Sequence, residues 1–104
     1  MRLSRLVVLA AALSLTFTTV PASYSDLQVT FVSTSANLVS VTIHNPNRGP
    51  ESARVRATVK LVDNSHQTIT GSVFTIAGGA NLVVVLSASK TVSGIDDDPV
   101  PINP

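Results

Sequence analysis

The sequence predicts an all-β fold: a small antiparallel β-sandwich, immunoglobulin-like or Greek-key, of about five to seven strands. Three observations carry this expectation. Apolar and polar residues alternate with a period of two in several short runs. Clusters rich in Asn, Asp, Gly and Pro separate those runs. Beyond residue 22 there is no apolar i, i+3, i+4 stripe, and β-branched residues are frequent. A barrel satisfies the same observations and stays open as the alternative.

The chain begins with a segment of another kind. Arg2 and Arg5 precede an apolar run from Leu6 to Leu15, and Val20-Pro21-Ala22 supplies small residues. This order predicts an export signal over residues 1–22, cleaved after Ala22 or Ser23. The apolar run is about ten residues, whereas a membrane-crossing helix needs roughly twenty. An exported protein, periplasmic or secreted, with no membrane anchor in the mature chain, is therefore expected.

The elements follow in order over residues 23–94. Leu27, Val29 and Phe31 alternate with Gln28 and Thr30, predicting a strand with those three on the core face. Val39, Val41 and Ile43 alternate with Ser40, Thr42 and His44 in a second. Asn45-Pro46-Asn47-Arg48-Gly49-Pro50 is a loop, because its prolines lack a ladder donor. From Ala53 to Leu61 every odd position is apolar, against Arg54, Arg56, Thr58 and Lys60. On a helix these residues would scatter charge around the cylinder; on a strand they make one core face and one wet face. Asp63-Asn64-Ser65-His66 reads as a hairpin turn. Phe74 and Ile76 mark a strand beginning near Ile69, with Gly71 as a bulge or kink. Gly78-Gly79-Ala80-Asn81 is a turn. Leu82 to Leu86 is apolar on both faces, which predicts a sheet-centre strand or one covered by another segment. A short strand around Thr91 and Val92 completes the set. Residues 95–104, with three aspartates and alternate prolines, predict a solvated tail in polyproline II conformation rather than a paired strand.

Charge and cysteine content bound the function. With the signal removed, the basic residues are Arg48, Arg54, Arg56, Lys60 and Lys90; the acidic ones are Asp26, Glu51, Asp63, Asp96, Asp97 and Asp98. Five against six leaves a net charge of −1, which argues against general affinity for nucleic acid. The absence of cysteine rules out disulfide staples, thiol catalysis and thiolate metal sites.

Three stretches resemble the cell-adhesion-related and immunoglobulin-like sandwich modules of bacterial exported proteins. They are Val39-Ser40-Val41-Thr42-Ile43-His44-Asn45-Pro46-Asn47-Arg48-Gly49, then Val59-Lys60-Leu61-Val62-Asp63, then Phe74-Thr75-Ile76-Ala77-Gly78-Gly79. The tryptophan and paired cysteines of antibody-type domains have no counterpart. The resemblance implies a sandwich with a binding or structural role, and it assigns no functional residue.

Four constellations are candidates for chemistry. Asp63, Ser65 and His66 contain hydrolase residue types, yet three residues at one hairpin tip fit a polar turn better than a catalytic triad. His44 and His66 stand in no ligand-spaced motif, so no metal and no cofactor is expected. Arg54, Arg56 and Lys60 share one strand face, with Arg48 in the preceding loop. Such a row suits an acidic partner, and it also serves solubility. Asp96, Asp97 and Asp98 lack the spacing and glycine of a calcium loop; they suit an interaction tail, or a strap across the Arg54/Arg56/Lys60 face of their own or another subunit. Together these predict a non-enzymatic, exported binding or structural module, as an envelope or adhesive accessory subunit, partnered by itself or by another protein. The alternative is a secreted inhibitor or effector acting through its loops or tail.

Overall fold

The computed structural model describes residues 24–104; the expected export signal and its cleavage point lie outside them. A 3-10 turn, Tyr24–Asp26, leads into seven strands: β1 (Gln28–Ser35), β2 (Leu38–His44), β3 (Glu51–Leu61), β4 (His66–Thr70), β5 (Phe74–Ile76), β6 (Asn81–Ser87) and β7 (Val92–Ile102). They form two antiparallel sheets packed as a sandwich. One has the order β1-β2-β6; in the other β4, β5 and β7 all pair with β3. The connections are Greek-key, since β6 returns to lie beside β2 and β7 beside β3. The two sheets remain separate, so the architecture is the sandwich and not the barrel.

The core lies between β2 and β3, where alternation is strictest. Val39, Val41 and Ile43 from β2 are fully buried, as are Ala53, Val55, Ala57, Val59 and Leu61 from β3. Ile69, Ile76 and Leu86 close the cluster, with Val29, Val32, Phe74, Leu82 and Val84 packed around it. Burying such side chains contributes about 1.5–3 kcal/mol each, which is why period-two patterning sets the register.

Gly71 does what its place in the pattern predicts. Its amide donates to the Val55 carbonyl at 2.8 Å, continuing the β3–β4 ladder. Arg56 pairs with Thr70 before it and Ala53 with Phe74 after it, an offset of one residue. β4 and β5 are thus one lane interrupted by a bulge. A Cβ at Gly71 would meet Leu86 Cδ2 at 2.8 Å, so the bulge accepts a core side chain from the opposite sheet.

Three expectations are corrected. Phe31 is 63% exposed instead of core-facing. A register shift between Val29 and Phe31 places an extra residue in β1, and a one-residue slip reverses every later side chain. Val32 therefore packs inward. Leu82–Leu86 is not a central strand: β6 pairs with β2 alone, and Val83 and Val85 are 58% and 52% exposed. Residues 95–102 are not a polyproline tail but the larger part of β7, paired with β3. The prolines fit because of backbone parity. Val55 turns its carbonyl toward Gly71, so its partner Pro101 faces β3 without a hydrogen-bonded pair, and the missing amide points to the free edge. Register shifts between Arg56 and Thr58, Thr58 and Val59, and Lys60 and Leu61 absorb the remaining mismatch.

Candidate functional site

The even positions of β3 face away from the core, so Arg54, Arg56, Thr58 and Lys60 form a row along the middle of the outer face. Register supplies the flanks. On the β4 side Thr70 stands beside Arg56, Thr68 beside Thr58 and His66 beside Lys60. On the β7 side Ile102 stands beside Arg54, Val100 beside Arg56, Asp97 beside Thr58 and Gly94 beside Lys60. Thr58 and Thr68 join hydroxyl to hydroxyl at 2.9 Å. Arg56 and Lys60 are exposed, while Arg54 is half-buried and its Nη1 lies 3.5 Å from the Gly71 carbonyl. Arg48 is exposed in the loop preceding β3.

The three aspartates divide. Asp96 pairs with His66, which reaches across β3 from the opposite lane. Asp97 and Asp98 instead line, with Arg56, Ala57, Thr58 and Val100, an open depression of about 320 Å³ where the β3–β7 register shifts. Within the chain no strap is made: among the described residues the ion pairs are His66–Asp96 and Lys90–Asp63, and none joins an aspartate to Arg48, Arg54, Arg56 or Lys60. The face therefore offers cations without ionic partners beside carboxylates without ionic partners.

The hairpin tip below this face is an electrostatic knot. Asp63 accepts the Ser65 amide at 3.0 Å and its hydroxyl, and Lys90 Nζ approaches the other carboxylate oxygen at 2.5 Å. Hydrogen bonding to Lys90, followed by that to Ser65, holds the Asp63 carboxyl far below the usual carboxylate range. Asp63 thus serves the turn and Lys90, while His66 turns to Asp96. His44 and His66 lie on outer faces of different sheets, and His44 Nδ1 pairs with Asn81 Oδ1 at 2.9 Å. Among the described residues no group of three or more His, Asp or Glu side chains stands close enough to hold a metal ion.

The pairs His66–Asp96 and Lys90–Asp63 leave no local signal in the sequence, because their members are distant in the chain and meet only through the topology. The buried Asn45 leaves none for a different reason. It is one polar residue in a loop, and nothing local signals that its amide bonds the Gly49, Ile76 and Ala77 carbonyls while its carbonyl oxygen accepts the Asn47 amide. No protein-family model matches the chain, and no curated protein or solved structure matches it either.

Proposed function

We propose that this chain is an exported, non-catalytic β-sandwich module that binds a protein partner through the outer face of the β4–β3–β7 sheet. The observation that carries the reading is the row Arg54, Arg56 and Lys60, which has no ionic partner among the described residues and borders the depression lined by Asp97 and Asp98. A cation row alone suits any polyanion. A row with carboxylates alongside favours a surface of complementary mixed charge, which proteins present and glycan sulfates do not. The resemblance to cell-adhesion-related modules and the signal-like residues 1–22 support an accessory subunit of an envelope or adhesive assembly.

A photo-crosslinking residue in place of Thr70, beside Arg56, tests the face in cells that produce the protein. The expected result is one covalent protein adduct, lost when Arg54→Ser, Arg56→Ser and Lys60→Ser are combined in a variant that still melts cooperatively. Adducts unchanged by the triple substitution, or none at all, overturn the binding face. Mass spectrometry of the same protein tests export: the expected product begins at Ser23 or Tyr24, and one still beginning at Met1 overturns that part.

A further inference from the structure

We propose that β6 is a self-recognition edge, through which two copies of this chain join their β1-β2-β6 sheets into one continuous antiparallel sheet. The partner is a second copy, and the surface lies on the sheet opposite the charged face.

Backbone parity identifies the free groups. The Asn45 amide donates to the Ala80 carbonyl at 3.0 Å, and the Ala88 amide to the Asn37 carbonyl at 2.8 Å, one bond at each end of β6. The intervening register is unbroken, so Leu82, Val84 and Leu86 direct their amides and carbonyls to β2. Those of Asn81, Val83, Val85 and Ser87 point the other way, and no strand among the described residues receives them.

The sequence of that edge is its own complement. Leu82-Val83-Val84-Val85-Leu86 reads the same in both directions, flanked by the small polar residues Asn81 and Ser87. Antiparallel pairing about a two-fold axis through Val84 places Val83 opposite Val85 of the second copy, Leu82 opposite Leu86, and Asn81 opposite Ser87. This register also brings the free odd positions face to face, each pair exchanging two hydrogen bonds. The exposed Val83 and Val85 side chains then gain valine neighbours across the seam, while Val84 meets its own symmetry mate on the core side.

The other edges carry devices that oppose such pairing. β1 has its bulge at Thr30, the β4/β5 lane its bulge at Gly71, and β7 its prolines, aspartates and register shifts. β6 has no bulge, proline or charge. An exposed, regular, apolar edge without those features is a template for another strand. A palindromic one directs that strand to a closed pair instead of an open fibre.

Sedimentation of the chain from residue 24 onward, across a concentration series, is the test. The expected result is a doubling of mass with concentration, abolished by Val83→Lys with Val85→Lys. Both positions face water in the single chain, so melting at low concentration should change little, but each lysine would stand opposite another in the pair. The chain has no cysteine. Val84→Cys should therefore oxidise to a covalent dimer across the two-fold axis, because a non-hydrogen-bonded pair brings Cα atoms to about 4.5 Å; Ser33→Cys on β1 should not. A monomer at every concentration, or a dimer that survives both lysines, overturns the proposal. A lysine-sensitive dimer that does not cross-link through Val84→Cys overturns the Val84-centred register.

Discussion

The side-chain amide of Asn45 donates to the main-chain carbonyl of Ile76 across 3.0 Å, in the fully buried interior of one end of the sandwich. That bond ties the crossing from β2 to β3 to the end of β5. The surrounding bonds extend the tie: the Gly79 amide donates to the Asn45 carbonyl at 2.8 Å, and the side chain also reaches Gly49 and Ala77. Gly78 completes it by close approach, since a Cβ there would stand 2.0 Å from the Arg48 carbonyl oxygen. Two loops that each contain turn residues thus become one packed unit.

Asn45→Ala is expected to destabilise the fold by about 2–3 kcal/mol, because buried carbonyls lose their donor. Asn45→Asp should be worse, since a carboxylate would face the Gly49, Ile76 and Ala77 carbonyls at close range. Denaturant melts of both variants check the order. An aspartate variant as stable as the alanine variant would show that water replaces the lost donor.

Val59→Asp should cost at least about 3 kcal/mol, placing an unpaired charge in the fully buried centre of β3. Thr58→Asp, one residue away, should cost about 1 kcal/mol or less. Its side chain faces outward, and its penalty comes from Asp97 directly opposite and from the lost Thr68 contact. Thermal melts of the two decide the register of β3; equal losses would refute it.

The Asp63–Lys90 contact predicts a pH signature. Hydrogen bonding to Lys90 and to Ser65 lowers the Asp63 pKa in the folded state, so its contribution to stability is present above the unfolded value of about 3.9 and disappears as pH falls through the folded one. Carbon-detected NMR titration should show Asp63 still ionised well below the range where ordinary carboxylates protonate. Lys90→Ala should move it most of the way back, and added salt should weaken the effect because the pair is exposed.

What was legible in the sequence is what period-two burial dictates. β2 and β3 are readable because over residues 39–44 and 53–61 one face is apolar and the other polar, and Gly71 because a glycine between two alternating runs marks a bulge. Phe31 misled because Thr30 carries no turn signal, although the shift there reverses the face. β6 misled because apolar residues on both sides indicate equally a covered strand and an open edge; only the partner strands distinguish the two. β7 is hidden in the sequence because alternate prolines signal unpaired chain, whereas on an edge the missing donor points outward and pairing survives. The charged face is legible as a row of cations with Asp96, Asp97 and Asp98 as candidates to lie across it; their fixed place alongside it is not, because that depends on β7 being a strand.

The pairing of distant residues has a consequence in time. Leu38 in β2 meets Ser87, and Arg54 in β3 meets Ile102, so both central strands lack one neighbour until the last part of the chain is available. A fold dominated by such non-local contacts assembles slowly, because loop closure precedes the reward. Before β6 and β7 are available the chain holds two hairpins, β1–β2 and β3–β4, whose facing apolar sides have no flanking strands to close the interior around them. The pairing of β7 along β3 is therefore the step expected to lock the sandwich.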